Sequence, residues 1–116
     1  MNQNTRACIA YIVGTIANDG NPTAVYDYSQ SKSIGITGQV SLTYVNIYDH
    51  DRGCVVSGAL PELYDHCSSA SVLLNLQGTK FQGHDYGEHG DYTGNIDGKM
   101  ISIYDFGPSA NFQYSV

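Results

Sequence analysis

Residues 84–92, HDYGEHGDY, gather His84, Asp85, Glu88, His89 and Asp91 into one short glycine-bearing stretch. Imidazoles mixed with carboxylates suit zinc, nickel or iron. His84, Glu88 and His89 are therefore the candidate ligands for a divalent metal. The same region carries Tyr86, Tyr92 and Asn95. With Asp85 and Asp91 they form a candidate contact set for a hydroxyl-rich ligand, since rings stack on apolar sugar faces and amides or carboxylates bond hydroxyls. No helical i,i+4 spacing ties the two histidines together, and glycine-rich loops rarely preorganise ligands. An ordinary solvated turn is the plainer alternative.

Other acidic stretches are weaker candidates. Asp49 and Asp51 in DHDRG (49–53) form a D-x-D pair without the glycine and terminal glutamate of an EF-hand loop, so turn capping is the simpler reading. In DHCSSAS (65–71), an acidic residue is followed by Ser-Ser and then a β run. This stretch resembles the calcium-binding segment of βγ-crystallin domains, with Asp65, Ser68 and Ser69 filling the pattern. VNIYDHDRG (45–53) is similar to the aromatic start of such a domain. The resemblance implies calcium at Asp65. It covers about a quarter of the chain, His66 stands where a second acidic residue is usual, and the Ser-Ser motif occurs once. No serine or cysteine sits in a nucleophile elbow or other fixed catalytic context. A non-catalytic chain is the expectation.

The composition narrows the partners. Net charge is −6, and the basic residues Arg6, Lys32, Arg52, Lys80 and Lys99 are scattered. Nucleic acid and anionic membranes need clustered positive charge, so neither is expected as a partner. Only 14% of residues are charged, against roughly 25% in an average domain. Ten tyrosines and no tryptophan imply many amphipathic, half-exposed positions. No apolar run approaches the length of a membrane span. MNQNTRACIAYIVG lacks the basic region and long apolar stretch of a secretory signal, which leaves a cytoplasmic protein or a mature secreted form. Cys8, Cys54 and Cys67 make an odd set. Three buried thiols are expected, with a Cys54–Cys67 bridge as the alternative.

The elements that must position these residues read mostly with a period of two. RACIAYIVGTI (6–16) is apolar on both faces and reads as a central strand, ended by NDGNP (18–22). Strands are expected over 23–29, 32–38, 39–49 and 71–78, with the chain turning at 50–53 and a short helical turn near 60–66. A glycine-rich loop spans 83–94. Asp97-Gly98 marks a tight hairpin before 100–106. ANFQYSV closes the chain with Ala110, Phe112, Tyr114 and Val116 on one face. An apolar-Tyr-Asp element recurs as VYDY, IYDH, LYDH and IYDF, at 25–28, 47–50, 63–66 and 103–106. In it, Tyr packs along the sheet and Asp caps a turn.

At 116 residues one domain is expected, an antiparallel β-sandwich or small barrel of about eight short strands with Greek-key-like connections. The leading functional expectation is a carbohydrate-binding module, using tyrosine and glycine loops on a glycan or protein ligand. The alternatives are a structural, homo-oligomeric protein and a small metal-dependent one.

Overall fold

The computed structural model describes all residues from Met1 to Val116. One helix, α1 (Gln3–Asn18), precedes ten strands: β1 (Ala24–Asp27), β2 (Lys32–Val40), β3 (Val45–Asp49), β4 (Cys54–Ala59), β5 (Glu62–Asp65), β6 (Ala70–Gln77), β7 (Lys80–Asp85), β8 (Gly90–Asp97), β9 (Met100–Asp105) and β10 (Ala110–Ser115). Every strand pairs antiparallel with its sequence neighbours, and β1 pairs with β10 to close a barrel. The antiparallel β-rich expectation is met. Eight strands, a sandwich and Greek-key connections are each replaced by a ten-stranded meander.

The largest correction lies at the N-terminus. Residues 6–16 are helix, and the barrel is wrapped around them. Thr5 through Thr15 are all buried. A segment apolar on both faces of a strand is also apolar around the whole circumference of a helix, which is the signature of a helix enclosed on all sides. Small residues make the enclosure feasible: Ala7, Ala10 and Gly14 let the helix lie close to the wall. The Asn2 side chain caps the N-terminus by accepting from the Asn4 and Thr5 amides, and Asp19 ends the helix in a left-handed conformation at φ 48°.

The core is the space between helix and wall. Ile9, Tyr11 and Ile12 meet inward residues of the strands, including Ile34, Ile36, Ile47, Leu63, Leu74, Ile101 and Ile103. Strand alternation supplies this lining: β3 reads buried at Val45, Ile47 and Asp49 and exposed at Asn46 and Tyr48. Ile101, Ile103 and Asp105 face inward as their alternation implies, and so does Tyr114.

Two further expectations change. The segment near 60–66 is not helical; β5 occupies Glu62–Asp65 after a cis Leu60–Pro61 bond. The long run 39–49 is divided by a turn at 41–44 into the end of β2 and all of β3. At the barrel end remote from the helix N-terminus, the two-residue loops Gly78-Thr79 and Gly98-Lys99 each place glycine first, at φ 61° and 60°. The turn therefore uses Gly98-Lys99, and Asp97 is the last strand residue.

Candidate functional site

The HDYGEHGDY stretch is a strand end, a turn and a strand start, not a loop. His84 and Asp85 close β7, and Gly90 opens β8. Alternation then sends its residues to different places. Asp85 and Tyr92 point into the barrel and are buried. They cannot touch a ligand outside it, which corrects their placement in a contact set. Tyr92 donates its hydroxyl to the Leu73 carbonyl at 2.7 Å, and burial raises its pKa well above the usual phenol value. His84 and Asp91 face outward as cross-strand partners, with Nδ1 and Oδ1 2.7 Å apart. Tyr86 is exposed and packs edge-on against His84, ring centroids 4.6 Å apart. His89 occupies the left-handed turn position at φ 56°. Glu88 is exposed and lies 3.8 Å from the Met1 ammonium. Asn95 is exposed farther along β8. His84, Glu88 and His89 do not converge on a point. The one group of three donor atoms close enough for a single ion is elsewhere, at Cys54, Asp65 and Cys67.

The turn containing His89 is one of five equivalent turns. Asp27, Asp49, Asp65, Asp85 and Asp105 end the odd-numbered strands, point inward and are buried. In every copy the Asp Oδ1 accepts the backbone N–H two residues on, from Ser29, Asp51, Cys67, Gly87 and Gly107, at 2.9–3.0 Å. In every copy the fourth residue after Asp has positive φ: Ser31, Gly53, Ser69, His89 and Ser109. The recurrent element thus has five members, with GHDY (83–86) as the one in which histidine replaces tyrosine.

These five carboxylates form a ring at the helix N-terminus, where the macrodipole favours negative charge. Three cations face them. The Met1 ammonium and Arg6 each reach Asp105 Oδ2 at 2.9 Å. Arg52 bridges Asp49 at 2.7 Å and Asp65 at 3.1 Å. Thr5 donates to Asp65 at 2.6 Å, and Asn4 to Asp49 at 3.3 Å. Asp27 is satisfied by Ser29 and Gln30. Burial alone would raise Asp105, but the ammonium, the Gly107 amide and Arg6 hold it below the usual carboxylate range. Burial would likewise lower Arg52, and its bonds to Asp49 and Asp65 more than offset this. The Asp65 oxygens implied to bind calcium are taken by Thr5, Arg52 and backbone amides. A guanidinium occupies the place of the cation.

Outside the barrel the residues flanking each aspartate form aromatic pairs. Tyr26–Tyr28, Tyr48–His50, Tyr64–His66, His84–Tyr86 and Tyr104–Phe106 all meet edge-to-face with centroids 4.6–4.9 Å apart. Positions i−1 and i+1 share a face because the aspartate between them points in. The result is an aromatic girdle around the rim, with Tyr28, Tyr48, Tyr64, Tyr86 and Phe106 exposed.

Beside the girdle, one cross-strand row runs over five strands. Asn75 pairs with Gln82, Gln82 with Thr93, Thr93 with Tyr104, and Tyr104 with Asn111. A second row holds Gln77, Lys80, Asn95, Ser102 and Gln113. Gln82, Thr93, Tyr104 and Asn111 of the first row and Lys80, Asn95 and Ser102 of the second line a shallow depression of about 420 Å³. The composition signals amides and hydroxyls on the surface, but their alignment needs the register, which the sequence does not display. The chain matches no family profile, no curated protein and no solved structure.

Proposed function

We propose that this protein is a non-catalytic binding module whose outer wall over β6–β10 takes a neutral, hydroxyl-rich ligand of the carbohydrate class. The observation that carries the reading is the row Asn75–Gln82–Thr93–Tyr104–Asn111. It is an uninterrupted line of uncharged donors and acceptors on neighbouring strands, spaced about 4.8 Å apart. Amides and hydroxyls of this kind match sugar hydroxyls, and Tyr104 supplies a ring for an apolar sugar face. Asn95 lies in the adjacent row, and His84 with Asp91 borders the same wall. In this reading Asn95 and Asp91 remain contact residues, and Tyr86 belongs to the bordering girdle.

The charge distribution supports a neutral ligand. Arg6 and Arg52 are committed inside the barrel, leaving the scattered Lys32, Lys80 and Lys99 on the surface. That is a poor footing for nucleic acid. On β8 and β9 the outward positions are mostly polar (Asp91, Thr93, Asn95, Asp97, Ser102) and the inward ones mostly apolar (Tyr92, Ile96, Ile101, Ile103), the reverse of a lipid-facing barrel wall. The buried carboxylates are used in turns and ion pairs, which favours a scaffold over a catalyst.

The test is a titration of isotopically labelled protein with a panel of neutral oligosaccharides, followed by amide shifts. Saturable shifts confined to β6–β10, lost on Tyr104→Ala with the fold intact, are expected. A panel that leaves this wall unperturbed overturns the reading. A second reading, self-association or a protein ligand, is favoured by the girdle of five exposed rings, a residue type enriched at interfaces. Sedimentation of the wild type against a Tyr28→Ser, Tyr48→Ser, Tyr64→Ser variant separates it from the first.

A further inference from the structure

We infer that the ligand is a linear oligosaccharide of at least two linked rings that lies along β7 and β8, not across the strands, with one ring beside Tyr104 and the next beside Phe106. The inference rests on the carbohydrate reading above and adds to it the length and direction of the ligand. Two depressions adjoin on this wall. The one of about 420 Å³ reaches from Lys80 and Asn95 to Gln82 and Thr93. A second, of about 380 Å³, continues from Gln82 and Thr93 to His84 and Asp91. The register puts them in line, because Lys80–Asn95, Gln82–Thr93 and His84–Asp91 are three successive outward pairs of the β7–β8 ladder. Outward residues on one strand follow each other at about 6.7 Å, so the three pairs span about 13 Å. That is longer than a single sugar ring.

Two glycines account for the groove. A closed barrel is convex outside, and this stretch of its wall is dented. Gly94 lines the first depression and Gly83 the second, both at inward positions of their strands. A Cβ at Gly94 would overlap the Phe81 ring, and one at Gly83 would overlap the Leu73 carbonyl oxygen. With no side chain to hold it off, the backbone sits directly on the buried rings of Phe81 and Tyr92. No cross-link shapes this wall. The sulfurs beside Asp65 belong to a Cys54–Cys67 disulfide on β4 and the turn after β5, which corrects the expectation of three separate thiols and leaves only Cys8 free and buried.

The flank along β9 repeats with the depressions. Tyr104 borders the first and Phe106 the second, their centroids 4.9 Å apart. Each depression thus has its own aromatic surface for the apolar side of one sugar ring. Each also has its own polar end. Lys80 and Asn95 supply donors at one. At the other, His84 takes Oδ1 of Asp91, and the carboxylate is otherwise exposed, leaving Oδ2 to accept from ligand hydroxyls. The two ends carry opposite charges, which suits a chain that is neutral overall. A ligand crossing the strands would run instead to Asn75 and Asn111 and leave Phe106 untouched.

The experiment titrates labelled protein with glucose, maltose and maltotriose, and with N-acetylglucosamine and its β-1,4-linked dimer and trimer. In at least one series, affinity is expected to rise by about tenfold or more from the single sugar to the trimer. Amide shifts should appear at both Lys80–Asn95 and His84–Asp91. Phe106→Ala, at an exposed position, should bind the trimer no better than the single sugar. Binding that is saturable but indifferent to chain length, or that shifts Asn75 and Asn111 without His84 and Asp91, overturns the inference and leaves the carbohydrate reading standing. A wall that no sugar of either series perturbs overturns both.

Discussion

Arg6 Nη1 lies 2.9 Å from Asp105 Oδ2, joining the first turn of α1 to the end of β9. The same guanidinium accepts no water-facing role: Nε donates to Tyr114 Oη at 3.2 Å, Nη1 donates to the Met1 carbonyl at 3.0 Å, and its carbon sits 3.6 Å above the Phe112 ring. One side chain therefore fixes the rotation of the helix against β9 and β10 together. The pairing also works against Tyr114's burial: desolvation dominates and its pKa stands at about 12 even with Arg6 pulling it down.

Asp105→Ala should be among the most damaging single substitutions. It leaves the Arg6 guanidinium and the Met1 ammonium buried without their shared carboxylate. Removing one partner of a buried pair typically costs about 3–5 kcal/mol. Urea unfolding at neutral pH checks this, and a loss below about 1 kcal/mol would show that the ring is dispensable.

Acid should weaken the protein through the same residue. The folded state holds Asp105 below the usual carboxylate range, so the unfolded chain binds its proton first as pH falls. The contribution is fully present above the unfolded pKa of about 3.9, declines below it, and is gone once pH passes under the folded value. Urea midpoints measured from neutral pH to pH 2 should fall across that window, and they should fall less in Asp105→Asn.

Gly94→Ala should destabilise although it adds one methyl group. A Cβ there would overlap the Phe81 ring and the Ser102 carbonyl oxygen. Phe81 is buried against the core and the carbonyl belongs to the β8–β9 ladder, so neither yields freely. Overpacking of this kind costs typically about 1–3 kcal/mol. A lowered thermal midpoint with unchanged secondary structure is the expected result.

Cys54→Ser should lower stability by about 2–3 kcal/mol relative to the oxidised protein, the scale expected for a bridge closing a short loop. The same loss should appear on reducing the wild type and should be absent when the variant itself is treated with reductant.

Much of the wall was legible in the sequence. The alternation in 110–116 placed Tyr114 inward, and 71–78 placed Val72 and Leu74 inward, because a strand lining a dry interior must alternate. Residues 6–16 were misread as a strand because a fully enclosed segment has no polar face to reveal its period. Its length and the Asn2 cap were the available signals for a helix. The β7 and β8 strands were hidden by Gly83, Gly90 and Gly94, which lower strand propensity. The inward rings of Phe81 and Tyr92 fill the space beside Gly94 and Gly83. The candidate site fared less evenly. Asp85 and Asp91 look equivalent as letters, yet the pleat sends one to the interior ring and the other to the outer surface. The row Asn75–Asn111 depends on the register of five strands, which no single segment encodes.

The junction of β1 with β10 is the shortest ladder in the molecule, registering only Tyr26 with Ser115 and Asp27 with Tyr114. Every other pairing joins strands adjacent in sequence and can zip locally, whereas this one must bring the two halves of the chain's length together. It is the clasp of the structure. Amide protons at Tyr26 and Tyr28 should trade with solvent well before those of β6 and β7. α1 has no exit through an intact wall, so opening the clasp is what sets how often the enclosed helix is exposed to water.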